Sequence, residues 1–250
     1  MSASMKWAVQ LSSKADISGF AQMLERSDIQ LIKESDGYYL QAEALEAASD
    51  YREVRLLATG LLRALQGVYR FERGIGPDIQ VGAICREEPD GKRTIFAAFA
   101  SSALMLSSFC VGTVIGPDDQ EAPSTLEPRA VRLSKLIQSC GHANKAFRLW
   151  GTVSTGDWAT LFKIFEVVED EVGGLISQLG WATKASITRF TRTANSAAAI
   201  GDAARHGAWK QDPPPKPMRY EEAENLIWRI LTYWTDWKCQ PQQQGRTDED

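Results

Sequence analysis

Residues Ile29 to Leu45 read IQLIKESDGYYLQAEAL. Two strand-like runs flank Asp36-Gly37, a dipeptide that accommodates the left-handed backbone of a tight hairpin, so the runs pair antiparallel. A parallel pair would need a crossover of about a dozen residues or more, and none fits here. The same signal recurs at Asp90-Gly91, between IQVGAIC (79–85) and TIF (94–96), with Ile95, Phe96 and Phe99 continuing the second strand. Outward from these hairpins, KWAVQLSS (Lys6 to Ser13) reads as a short strand and DISGFAQMLE (Asp16 to Glu25) as a short helix with Asp16 as N-cap. SDYREVRLLATGLLRALQGVYRFE is a long helix: Tyr51, Val54, Leu57, Leu61, Leu65 and Val68 recur at helical spacing, with Arg52 and Arg63 off that stripe. The expectation is an antiparallel sheet with two helices on one face.

The uncharged run TIFAAFASSALMLSSFCVGTVIG, Thr94 to Gly116, is long enough to cross a bilayer as a helix. Its four serines, Gly112 and the preceding hairpin signal favour buried strands, so no membrane span is expected. GPDDQEAPSTLEP, ending at Pro128, lacks periodicity and reads as a linker.

Everything beyond reads helical. RAVRLSKLIQSCG and HANKAFRLWGTV are short helices. In the next helix Trp158, Leu161, Phe162, Phe165, Val168 and Val172 form one stripe, with Asp157 near its start. In the last, Ala223, Ile227, Ile230, Trp234 and Trp237 form another. The chain is thus expected to be α+β: an antiparallel-sheet domain over 1–116, a linker over 117–128, an all-α bundle over 129–239 and a disordered tail over 240–250.

A net charge of −4 argues against a protein that coats nucleic acid or anionic membrane through its overall field. The four cysteines are scattered without a CxxC pair, and no signal-peptide pattern opens the chain, which points to a reducing cytoplasm.

The segments DWATLFKIFEVVEDEVGG, GWATKASITRFTRTANSAAAIGDAARHG and PPPKPM together resemble a C-terminal helical module of uncharacterised bacterial proteins. The resemblance implies a bacterial origin and one inherited architecture. It brings no catalytic residue with it.

The chemistry-bearing stretch is RFTRTANSAAAIGDAARHG, from Arg189. If DAARHG is a helical turn, Asp202 at i could orient His206 at i+4, with Arg205 beside them to hold a phosphate. Those are the parts of a metal-independent ribonuclease. The competing reading is a helix end, where Arg and His complement the dipole before Gly207. The spacing of HEPN ribonucleases, an arginine followed after four to six residues by a histidine, is met by neither His206 nor His142. Between Ala182 and Arg219 seven basic and two acidic residues give +5, leaving −9 for the rest of the chain. Arg189, Arg192, Asn195 and Lys210 could therefore form an RNA or phosphate surface, with Phe190 and Trp209 able to stack on bases. Alternatively these arginines pair with Glu166, Glu169, Asp170 and Glu171 of the preceding helix. That acidic cluster has no histidine at ligand spacing, so neither a metal nor another cofactor is expected. Cys140 and His142 lie two residues apart, but nothing upstream supplies an orienting acid. Two function classes follow: a non-catalytic interaction or regulatory protein with a protein partner, and an RNA-cleaving or nucleic-acid-binding protein using residues 189–206.

Overall fold

The computed structural model describes residues 6–87, 92–96, 127–205 and 212–240. The Asp90-Gly91 turn, the uncharged run beyond Phe96 and the linker up to residue 126 lie outside the described residues. So do His206, Trp209, Lys210 and the tail beyond Gln240.

The fold is α+β. Strands β1 (Lys6–Ser13), β2 (Ile29–Glu34), β3 (Gly37–Ala42), β4 (Ile79–Glu87) and β5 (Arg93–Phe96) form one sheet in the order β2-β3-β1-β4-β5. Every pairing is antiparallel. Glu34 pairs with Gly37, so the first hairpin turns at Ser35-Asp36, one residue earlier than expected. Gly37, at φ +147°, opens β3, and the Asp36 carboxylate accepts from the Tyr39 hydroxyl at 2.8 Å.

Helices α1 (Ser18–Leu24), α2 (Glu43–Glu46) and α3 (Tyr51–Arg73) complete the first half. Asp16 accepts the Ser18 N–H at 3.0 Å, but the cap position itself is Ile17, one residue later than expected. Asp50 caps α3 by accepting from the N–H groups of Arg52 and Glu53, and Gly74, at φ +77°, ends it. The buried face of α3 is wider than the sequence stripe. It adds Ala58, Leu62, Ala64, Gly67 and Phe71 and leaves Leu57 39% exposed. The reason is that α3 is covered twice, by the sheet and by the helices that follow.

Those helices are α4 (Arg129–Ser139), α5 (Gly141–Trp150), α6 (Trp158–Glu171), α7 (Lys184–Ala194), α8 (Ala197–Ile200) and α9 (Tyr220–Cys239), with a 3-10 turn at Gly201–Ala203. All six stripe residues of α6 are buried, and Asp157 caps it by accepting the Thr160 N–H at 3.0 Å. On α9, Ala223, Ile227, Ile230 and Trp234 are buried, whereas Trp237 is 44% exposed, its ring 6.0 Å from that of Trp181.

Where α3 meets α5 the contact is backbone on backbone. A Cβ added at Gly67 would stand 1.9 Å from the Phe147 carbonyl oxygen, and one at Gly151 would stand 2.9 Å from that of Arg63. Two arginines tie the same layers. Arg70 donates to the Trp150 and Val153 carbonyls and pairs with Glu224 at 3.3 Å. Arg129 lies 3.4 Å from Asp236, with its guanidinium 5.0 Å from the centre of the Phe71 ring. The buried apolar residues form one contiguous core from Trp7 to Trp234, to which both halves contribute. A small second cluster, Ala8, Tyr39 and Cys85, lies on the other side of the sheet. No helix among the described residues is long and apolar enough to cross a membrane.

Candidate functional site

The arginines singled out in the sequence are held by the scaffold. Arg189, on α7, donates to the Lys216 and Pro217 carbonyls at 2.8 and 3.0 Å and pairs with Glu222 at 2.8 Å. Arg192, one turn on, donates to the Asp212 and Pro213 carbonyls at 3.2 and 3.4 Å. Prolines cannot donate a backbone hydrogen bond, and the extended Pro-rich strand has no internal bonds, so its carbonyls need outside donors. The two arginines supply them. Thr193 completes the clamp: its hydroxyl accepts the buried Met218 N–H at 3.0 Å and donates to the Arg189 carbonyl at 2.7 Å.

Arg205 pairs with Glu166 of α6 at 2.9 Å, and its guanidinium stands 4.3 Å from the centre of the Phe162 ring. One of the expected pairings with the acidic cluster is therefore made, while Arg189 and Arg192 look toward the Pro-rich strand instead. The helical turn across 202–206 is interrupted, because the 3-10 turn ends at Ala203 and Ala204 is extended at φ −64°, ψ 141°. Asp202 is exposed. Asn195 keeps a buried Oδ1 with no hydrogen-bond partner among the described residues. A shallow groove of about 570 Å³ lies between α7 and the Pro-rich strand, with Lys184, Arg192 and Lys216 along it.

A second concentration of chemistry lies between α5 and α6, around a cleft of about 1000 Å³ lined by His142 and Lys145 on one side and Lys163, Glu166 and Asp170 on the other. At its end five groups converge: Cys140 and His142 at the start of α5, Asp170 and Glu171 at the end of α6, and Lys238 on α9. Cys140 is the shared residue between α4 and α5, in an extended conformation at φ −125°, ψ 114°, and Gly141 opens α5 directly after it. His142 therefore sits in the first turn of α5. Asp170 and Glu171 occupy the last turn of α6, which Gly173 and Gly174 end at φ +60° and +78°.

His142 Nε2 is 3.2 Å from Asp170 Oδ2, and its Nδ1 is 3.9 Å from Glu171 Oε2. Cys140 Sγ lies 3.8 and 3.9 Å from the two Glu171 oxygens. Lys238, in the last turn of α9, pairs with Glu171 Oε1. Burial works against the Lys238 charge, but Glu171 and Cys140 outweigh it and hold the ammonium pKa above the ordinary lysine value. Nearby, desolvation followed by the Glu166 charge raises the Glu169 pKa.

The acidic cluster has no histidine at ligand spacing on its own helix, and the imidazole beside it comes from α5. His142 arrives from 28 residues away in the chain. Likewise the acid missing upstream of Cys140 is supplied downstream, by Asp170 and Glu171. Only the adjacency of Cys140 and His142 signalled this site in the sequence.

No protein-family model, no curated protein and no solved structure matches the chain. Its function has to be argued from its own geometry.

Proposed function

We propose that this is a non-catalytic interaction or regulatory protein of the bacterial cytoplasm that binds a protein partner. The observation that carries this reading is the employment of Arg189, Arg192 and Arg205, whose guanidiniums bond backbone carbonyls, Glu222 and Glu166 within the chain. A nuclease would need those cations turned to a phosphate. Cys85, Cys140 and Cys239 are free thiols, which suits a reducing compartment. Tyr233 and Trp237, 47% and 44% exposed and four residues apart on α9, offer rigid aromatic contact area of the kind enriched at protein interfaces.

A second reading, nucleic-acid binding or metal-independent RNA cleavage, draws on the groove carrying Lys184, Arg192 and Lys216. The test is incubation of the full chain with a mixed RNA pool in chelator, with binding followed by anisotropy at about 150 mM salt. The expected result is intact RNA and no salt-resistant binding. Metal-free cleavage by wild type that disappears in a normally melting His206→Ala variant would replace the first reading with the second.

A further inference from the structure

The convergence of Cys140, His142 and Glu171 goes beyond that reading and does not depend on it. We propose that these three side chains form a binding site for a divalent transition-metal ion of the zinc class, with Asp170 as the positioning residue of the histidine ligand.

Donor type comes first. One thiol sulfur, one imidazole nitrogen and one carboxylate oxygen make the mixed set that Zn²⁺ accepts, whereas Ca²⁺ and Mg²⁺ take oxygen donors. The donor atoms of the three residues lie within 4.8 Å of one another. With metal–ligand bonds of about 2.0–2.3 Å, tetrahedral donors stand roughly 3.3–3.6 Å apart. The Sγ–Oε2 and Nδ1–Oε2 separations are both 3.9 Å, so sub-ångström closure completes those pairs. All three residues are partly buried.

The surroundings make the same argument independently. A metal-bound histidine characteristically donates its other ring N–H to a carboxylate, which fixes the tautomer and aims the ring. Asp170 Oδ2, 3.2 Å from Nε2, stands where that acceptor belongs and leaves the Nδ1 lone pair facing Glu171. Lys238 holds Glu171 Oε1 and leaves Oε2 facing the imidazole, with the thiol sulfur about equally far from both oxygens.

The helix ends add a third observation. Asp170 and Glu171 lie at the negative end of α6, where carboxylates are disfavoured and a cation is favoured. Cys140 and His142 lie at the positive end of α5, which suits a sulfur anion and a neutral imidazole. On binding, the thiol proton passes to solvent and the sulfur lone pair forms the metal bond. Two carboxylates and one thiolate against the Lys238 ammonium then leave two negative charges, the complement of a divalent ion. The same three donors leave a fourth position for water.

The experiment titrates the reduced, metal-free full chain with Co²⁺, reading the near-ultraviolet thiolate-to-cobalt charge-transfer band and the visible bands of four-coordination, then displaces Co²⁺ with Zn²⁺. One equivalent is expected to bind. Cys140→Ser should abolish the charge-transfer band, and His142→Ala and Glu171→Gln should each weaken binding at least about 100-fold. Asp170→Asn should weaken it by about 10–100-fold. Cys239→Ser should leave the band in place. Thermal melting of each metal-free variant shows whether it is folded, and the half-exposed His142 gives a variant that does not disturb the core. The proposal is overturned if wild type gives no thiolate band at stoichiometric Co²⁺, or if the band survives in Cys140→Ser. It is equally overturned if folded His142→Ala binds as tightly as wild type.

Discussion

Replacing Gly67 by alanine tests the claim that the sheet half and the helical half share one core. The new Cβ would lie 1.9 Å from the Phe147 carbonyl oxygen and 2.7 Å from its carbon. Ordinary contact begins near 3.4 Å, so α3 and α5 would have to separate by about 1.5 Å. The obstacle is backbone, with no side chain to rotate away. Overpacking of this kind costs about 1–3 kcal/mol, and a backbone clash belongs at the upper end. Helix propensity returns up to about 1 kcal/mol, because alanine loses less backbone freedom than glycine. The net loss is therefore about 2 kcal/mol, a fall in melting temperature of roughly 4–8 °C for a chain of this size. Gly60 supplies the control on the same helix. A Cβ there meets nothing within 4 Å, so Gly60→Ala should gain about 0.5–1 kcal/mol. Both variants would be melted by circular dichroism at the helix signal and by tryptophan fluorescence. The two probes should fall together, since seven of the eight tryptophans lie beyond residue 149 while Gly67 belongs to the sheet half. A Gly67→Ala protein as stable as Gly60→Ala, or one in which the helical tryptophans keep the wild-type midpoint, would refute the close crossing.

Thr193→Val keeps shape but strands the buried Met218 N–H, so denaturant unfolding should show a loss of about 1–3 kcal/mol; an unchanged midpoint would remove the clamp on the Pro-rich strand. Arg205→Ala gives up a partly exposed ion pair and a guanidinium over Phe162, and should cost about 1 kcal/mol in thermal melts, with no change in the protein's behaviour toward RNA. The pH dependence of the melting temperature combines two signs. The hydrogen bonds from Arg93 hold Glu34 below the ordinary carboxylate pKa, and that from the Arg219 N–H does so for Glu222, contributions present above about pH 4 and lost as pH falls through the folded values. Burial raises Glu72 and Glu169, whose stabilising protonation is lost as pH rises through their elevated values. Melting temperature should therefore rise on mild acidification from neutrality and fall again below about pH 4; a monotonic profile would contradict these assignments.

The fold was legible wherever a local signal met a local cause. The first hairpin, the helix start at Asp157 and the α6 stripe depend on residues within a few positions, and each appears within a residue or two of its expected place. Errors arose where one helix serves two neighbours. Leu57 fits the stripe of α3 yet stands exposed, while Gly67, which a periodicity argument ignores, sits where an added Cβ would meet the Phe147 carbonyl. Trp237 has the spacing of a core residue on α9 but falls on its flank beside Trp181.

For the sites, charge alone proved a poor guide to use. The +5 of residues 182–219 drew attention to Arg189 and Arg192, yet their donors are taken by the carbonyls of the Pro-rich strand, acceptors that carry no formal charge and leave no mark in a charge count. The reverse held for Glu171. In sequence it is one acid among four on a helix, with nothing to separate it from a solvated face. In the fold it is only 14% exposed, because α4, α5 and α9 bring a thiol, an imidazole and an ammonium to it. Two carboxylates in the last turn of a helix run against its dipole, and a chain that keeps them there must offset the cost with cations from elsewhere. Lys238 is the cation the structure supplies, paired with Glu171, while the two ring nitrogens of His142 face Asp170 and Glu171. Asp170 and Glu171 close α6 without a lysine or arginine of their own, so the positive charge that answers them has to come from a distant element.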